Sequence, residues 1–333
     1  MASNESWSGL QFKSVSHGGI LPGRRLIVLG AVHGNETCGK QAIERLIDDI
    51  DVGRIVIQRG TLTLVPITNP LAHRRVQRSG DRNLNRNLCP TDKPVDFEDH
   101  IANWLCPLLS SHEVLLDLHS FHTAGQPFAA LGPENNTGTL EPFSQAALEE
   151  SLARRLGVSR FMDGWLDTYA RGVARRVKAT GATSERVALL NTDPRYGVGT
   201  TEYMRTVGGC SITLECGQHA DPAAPEVAYR AILNALAFLG LADLPKPAPA
   251  AVMDALRLFE VIDKADKEDA FAREWSSFDR LNKGDLIGTR KDGSKVLAEE
   301  DGYIVFPNPA AMAGQEWFYL AKANLRAWLP DKG

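Results

Sequence analysis

Two short apolar runs in this chain stop on residues that bind metals, and this limits its fold more than any other feature. Leu26-Ile27-Val28-Leu29 leads into His33-Gly34-Asn35-Glu36, and Val114-Leu115-Leu116-Asp117-Leu118 ends on His119. Runs this short and this continuously apolar read as strands buried on both faces. In helix-covered parallel sheets, functional groups gather at the carboxyl ends of the strands. Two imidazoles and a carboxylate delivered there form the ligand set of a catalytic zinc that keeps one position open for water. The expected cofactor is one Zn2+ per chain, held by His33, Glu36 and His119.

The pair His33-x-x-Glu36 alone is a common short pattern, and a capped helix start with an exposed histidine looks the same. His119 is the third ligand that separates the two readings. In the metal reading His33 lies in the loop and Glu36 in the first helical turn, where the positive end of the helix dipole favours a carboxylate. Asn35 is then the candidate cap, and Gly34 lets the backbone turn tightly. Period-two alternation puts Asp117 on the His119 face, suited to orienting a ligand imidazole, although a surface acid at a strand end fits the same pattern. His17, His73, His100, His112 and His219 fall in polar or loop contexts and are expected in solvent. His122, three residues past His119, is the one placed to reach the same cavity.

Apolar runs alternate with amphipathic segments along the first 240 residues. Strands are expected over 25–30, 61–67, 113–118 and 211–214, and helices over 37–50, 97–109 and 225–239. This alternation predicts an α/β fold, a mixed and largely parallel sheet covered by helices. The segment Leu241 to Ala251 carries three prolines and reads as a linker. Beyond it, extended runs over 256–261, 285–289, 295–298, 303–306 and 317–321 are separated by glycine turns, a pattern of small β architecture. The expected division is a catalytic domain over 1–243 and a smaller β-rich domain over 252–333.

Composition narrows the function. Lys plus Arg number 37 against 41 Asp plus Glu, a net charge of -4 that provides no bulk basic field for nucleic acid or an anionic membrane. No secretory signal is visible in Met1 to Leu10, and the longest apolar stretch, 231–241, is far short of the roughly 20 residues that span a bilayer. A cytoplasmic enzyme acting on a small molecule is expected, and a homo-oligomer stays open. The 5 cysteines, odd in number and without CxxC spacing, read as reduced thiols, each a small buried hydrophobe.

Glu215 ends the run Ser211-Ile212-Thr213-Leu214. A buried strand seldom terminates on an acid without a partner or a task, and beside a metal-activated water a carboxylate serves as general base and then as proton donor to a leaving amine. Upstream, the segment 73–87 is rich in arginine and too irregular for one helix face. Arg74, Arg75 and Arg82 read as a solvated basic loop.

Taken together, these residues resemble the succinylglutamate desuccinylase and aspartoacylase family, which shares the zinc carboxypeptidase fold. The resemblance rests on His33-Gly34-Asn35-Glu36, on Asn69-Pro70 with Arg78 and Leu84-Asn85-Arg86, on Asp117-Leu118-His119, and on Glu215-Cys216-Gly217, and it runs from about Leu26 to Phe318. It implies His33, Glu36 and His119 as zinc ligands and Glu215 as the catalytic carboxylate. It assigns Arg78 to the scissile carbonyl and its oxyanion, and Asn85 with Arg86 to the substrate carboxylate, which a guanidinium fork suits. Arg205, ten residues before Glu215, stands where aspartoacylase reads a side-chain carboxylate. The chain departs from the family at Asn83, commonly an aspartate, whose role passes to Asp81 or is lost. It departs again in the C-terminal part, where the family's substrate-binding tyrosine aligns with Met312 or Ala313 and Tyr303 or Tyr319 is the nearest substitute. The expected activity is zinc-dependent hydrolysis of the amide of a small N-acylated amino acid or related metabolite bearing a carboxylate. A zinc carboxypeptidase acting on peptides and a non-catalytic metal-binding protein of the same fold are the alternatives.

Overall fold

The structure, a computed structural model, describes residues 7–179, 193–251, 253–324 and 326. The first half alternates strands with helices: β1 (Val15–Gly18), β2 (Leu21–Leu29), α1 (Cys38–Asp51), β3 (Arg59–Val65), α2 (Pro70–Arg75), α3 (Phe97–Ser110) and β4 (Val114–Phe121). There follow β5 (Phe128–Ala130), α4 (Ala146–Ala153), β6 (Arg160–Asp163), α5 (Trp165–Ala179), α6 (Thr200–Thr206), β7 (Cys210–Gln218) and α7 (Ala224–Phe238). The C-terminal part is all strand: β8 (Asp254–Asp263), β9 (Ala270–Phe271), β10 (Arg280–Leu281), β11 (Leu286–Thr289), β12 (Lys295–Leu297), β13 (Gly302–Val305) and β14 (Glu316–Ala323).

Among the described residues, eleven strands form one sheet in the order β1-β3-β2-β4-β7-β5-β6-β8-β14-β13-β10. The run β3-β2-β4-β7 is parallel, β5 turns antiparallel to β7, and β6 and β8 are parallel again. The sheet is thus mixed and largely parallel at its centre, as the alternation predicts. Helices cover both faces. Ala42, Ile43 and Leu46 of α1 and Ala228, Ile232 and Ala235 of α7 pack on one side, and Ile101, Ala102 and Leu105 of α3 on the other. Every residue of β4 is buried, which explains why its sequence shows no polar alternation.

Residues 241–251 hold neither helix nor strand. Leu241 is nonetheless fully buried, and its carbonyl accepts from the amide of Gln58 at 2.8 Å. The sheet then continues: β8 pairs in parallel with β6, and β14, β13 and β10 extend it by antiparallel pairing. A separate sheet, β12-β11-β9, packs near it through Phe271, whose ring stacks 4.6 Å from that of Trp317. The cysteines are free thiols as expected, four of them buried, but Cys89 is exposed because it lies in the irregular stretch before α3.

Register decides where the chemistry sits. Leu29 at the end of β2 pairs with Asp117, and His119 on β4 pairs with Glu215 on β7. The carboxyl ends of three neighbouring strands therefore coincide. Replacing Leu116, fully buried on β4, by alanine is expected to cost about 2 to 5 kcal/mol, measured as a lowered urea midpoint at unchanged slope.

Candidate active site and metal centre

The turn after β2 brings His33 and Glu36 back against β4. Nδ1 of His33 lies 2.8 Å from Oε1 of Glu36, and Nδ1 of His119 lies 2.8 Å from Oε2 of the same carboxylate. One ligand atom from each of the three falls within 4.8 Å of the others, and all three residues are buried. The outward nitrogens are held too. Nε2 of His33 stands 3.1 Å from Oδ1 of Asn83, and Nε2 of His119 is in ion-pair contact with Oδ2 of Asp117 at 2.9 Å. Both Nδ1 atoms thus face the Glu36 carboxylate, and a divalent cation ligated there would take the place of those contacts, with the Nε2 atoms then turned toward the Asn83 and Asp117 oxygens. The donor set and its burial fit a divalent cation such as zinc.

The charges agree with that geometry. Burial, and then the Arg78 cation, lower the His33 pKa to about 4. Burial alone would raise Glu36, but the adjacent His33 and His119 outweigh it and hold the carboxyl well below its usual range. For His119, Asp117 and Glu36 overcome burial and raise the imidazole well above its usual value.

Some local details differ from the sequence reading. Glu36 sits in the loop, since the helix begins at Cys38 with Thr37 as its N-cap. Asn35 does not cap it; its amide approaches Nε2 of His219 at 3.5 Å. Gly34 is required for proximity: a Cβ there would lie 2.0 Å from the carbonyl carbon of Ala72 on α2. The sulfhydryl of Cys38 donates to the carbonyl of His119 at 3.4 Å, and the amide of Ser120 donates to Glu36 at 3.2 Å.

The segment from Arg78 to Arg86 wraps over this cluster. Arg78 donates from Nη1 to Oε1 of Glu36 at 3.0 Å. The loop is anchored from beneath by Glu98 of α3, whose fully buried carboxylate accepts from the amides of Gly80, Asp81 and Arg82 and from Nδ2 of Asn69. Asn69 in turn caps α2 through the amide of Ala72. Arg82 is not solvated: it is tied to Asp96, Asp99 and the carbonyl of Arg86. Asn83 itself receives His33 and the amide of Asn85, so Asp81 is not needed in that place and instead accepts from Trp7 and the amide of Phe97.

A cavity of about 440 Å³ opens beside the cluster, and His33, Arg78, Asn85, Arg86, His119, Arg205 and Glu215 all line it. Glu215 is half-buried, with Oε2 out of solvent and lacking a hydrogen-bond partner. Burial raises its pKa to about 8, with His119 opposing that rise. Oδ1 of Asn85 accepts from the amide of Thr200, leaving its NH2 as the free donor. Arg205 is enclosed by acids: Nε donates to Glu149 at 3.0 Å, Nη1 to Glu141 at 2.9 Å, and Nη2 to the carbonyl of Ser211 at 2.8 Å. His219 was expected in solvent, yet it lines the cavity with Nδ1 2.8 Å from Oγ of Ser120. No local signal in the sequence marks it. His112 is also buried, between Thr63 and the carbonyl of Leu108. His122 does reach the cavity wall, 2.8 Å from the carbonyl of Pro307, and Tyr319 lines the cavity as well.

A mixed α/β sheet with a buried His-Glu-His cluster at its strand ends defines the class. Residues 22–134 match the family model of the Succinylglutamate desuccinylase/Aspartoacylase catalytic domain, which bears out the resemblance carried by the motifs. That span includes His33, Glu36, Arg78, Asn85, Arg86 and His119; Arg205 and Glu215 lie beyond it. Among solved structures, a succinylglutamate desuccinylase/aspartoacylase from Rhodobacter sphaeroides is 17% identical, with 97% of this chain and 93% of that one covered at a TM-score of 0.69. The product-bound Ectoine utilization protein EutE (DoeB) from Ruegeria pomeroyi is 16% identical, covering 93% and 88% at a TM-score of 0.67. Succinylglutamate desuccinylase from Vibrio cholerae is 20% identical, covering 92% and 84% at 0.65. These likenesses establish the fold. No helix among the described residues is long and apolar enough to cross a membrane.

The Glu98 anchor is directly testable. Glu98→Gln turns one acceptor into a donor facing backbone amides, and a loss of about 1 to 3 kcal/mol in stability is expected, accompanied by faster hydrogen exchange at Gly80, Asp81 and Arg82. Unchanged exchange at those amides would show that the loop is held by other contacts.

Proposed function

We propose that this protein is a zinc-dependent hydrolase that cleaves the amide bond of a small N-acylated amino acid or related metabolite. One observation carries the reading: His33, Glu36 and His119 converge within ligating distance at the edge of a cavity that also holds a half-buried carboxylate with an unpartnered oxygen and two arginines. When bound, zinc supplies Lewis-acid activation of a carbonyl and of water.

The chain's own groups account for the rest. Glu215 faces the cavity from the strand position paired with His119. Its carboxylate takes a proton from the attacking water and returns it to the departing nitrogen, work that suits an acid whose burial keeps it easily protonated. A bound cation would pull its pKa down from the value near 8 that burial sets. Arg78, half-exposed at the rim, is placed to polarise the acyl oxygen and stabilise charge that develops there. The free NH2 of Asn85 and the guanidinium of Arg86 grip the substrate carboxylate. Asn83 and Asp117 hold the imidazoles in orientation. The remaining expectation for Arg205, a second carboxylate contact, is weakened by its acidic surroundings.

Separate variants read separate roles. His33→Ala and His119→Ala are expected to retain little zinc by elemental analysis, whereas Glu215→Ala keeps stoichiometric zinc and loses about 10² to 10⁴ in kcat. Full zinc in both histidine variants would overturn the ligand assignment. Arg86→Ala is expected to act mainly on KM for carboxylate substrates; a loss confined to kcat would contradict simple anchoring.

A further inference from the structure

We infer that the substrate carries a single carboxylate together with an aromatic group, which lies along a wall of rings between the ligand cluster and Arg86. The inference rests on the hydrolase reading and names its substrate class.

The wall is continuous. Phe121 follows His119 by two residues on β4, and Phe128 on β5 is the register partner of Glu215, so the rings begin beside the reacting groups. From there ring centroids step from Phe121 to Phe306 at 5.8 Å, to Tyr319 at 6.4 Å, to Trp165 at 5.2 Å and to Tyr169 at 5.9 Å. The guanidinium of Arg86 closes the series, 5.1 Å from the Trp165 ring and 4.7 Å from Tyr169. All of these side chains line the cavity. Phe306 holds a φ of 51°, a left-handed conformation that a bulky residue adopts only when the surrounding fold imposes it. Its ring is thereby kept in the wall. Edge-to-face and offset contacts with such rings favour an aromatic guest over a small or charged one.

The charge inventory excludes a second carboxylate. Arg176 is bound by Asp263 through two nitrogens, at 2.7 and 2.5 Å, and approaches Glu316 at 3.5 Å. Each nitrogen of Arg205 has a partner. Arg78 is turned toward Glu36. His122 and His219 are each engaged by a neutral partner, Nε2 of His122 with the carbonyl of Pro307 and Nδ1 of His219 with Oγ of Ser120, both at 2.8 Å. Arg86 alone, among the described cavity residues, is a buried cation with no carboxylate within ion-pair distance. Beside the rings, Glu316 accepts from the Tyr169 hydroxyl at 2.7 Å, and Asp163 is paired through Oδ2 with Arg257 and Arg326, so both acids already face a partner. A second carboxylate would be desolvated without a partner.

The aromatic group belongs either to the amino acid or to the acyl portion, and the test separates them. The zinc-loaded protein is assayed with N-acetylphenylalanine, N-benzoylglycine, N-acetylalanine, N-acetylaspartate and N-succinylglutamate, and binding of the same panel to Glu215→Gln is measured by calorimetry. We expect one of the two phenyl compounds to exceed each of the other three at least tenfold in kcat/KM and in affinity. In Trp165→Ala the ratio of the favoured phenyl compound to N-acetylalanine falls toward unity, chiefly through KM, and Trp165→Phe restores most of it. Faster cleavage or tighter binding of N-acetylaspartate or N-succinylglutamate, or a preference untouched in Trp165→Ala, would overturn the inference. If nothing is hydrolysed while the phenyl preference in binding persists, the hydrolase reading falls and the ligand class stands; if neither appears, both fall.

Discussion

The carboxylate of Glu36 is where the structure is tied together. It is only 1% exposed, and a carboxylate taken that far out of water is strongly destabilising unless opposite charges and donors surround it. Here it meets Nδ1 of His33, Nδ1 of His119, the amide of Ser120 and Nη1 of Arg78. These come from the turn after β2, from the end of β4 and from the loop after α2. Satisfying one acid therefore requires three distant parts of the chain to meet, and the parallel register of β2, β4 and β7 brings them to the same edge. A cation among these ligands would replace part of the donor set without altering which segments converge.

The framework was legible because its signals are periodic and local. Continuous apolar runs marked β2, β4 and β7, and apolar stripes marked α1, α3 and α7, each to within a few residues of the observed ends. The misses have a common origin in tertiary contact. Nothing local announces that Arg82 is bound to Asp96 and Asp99. Nor does the sequence around His219 or His112 announce their places, since His219 meets the cavity and His112 becomes buried only once strands and helices pack together. Asn35 resembles a cap, yet the helix waits until Cys38 because Glu36 is drawn toward β4. Short strands such as β5 and β6, four residues or fewer, contain too little alternation to stand out. The site residues themselves were legible as a constellation; that Asn83 serves the His33 imidazole directly was not.

The arginines show how context sets the use of one side chain. Arg86 and Arg205 are both buried cations in one cavity wall, yet Arg86 faces two aromatic rings and Arg205 faces three carboxylates. A cation held by quadrupoles keeps its fork available to an incoming anion, whereas one held by full charges has spent it. In the acidic group around Arg205, burial raises Glu141 to about 7, which eases the mutual repulsion of the carboxylates and turns the cluster into a support between α4, α6 and β7.

The unbroken hydrogen bonding from β6 into β8 bears on how molecules come and go. Trp165 follows β6 directly, and Tyr319 lies on β14, two strands further along the same sheet. Rotating the C-terminal strands outward as a flap would strip a ladder of main-chain bonds, so the rings on these strands and the ligand cluster share one platform.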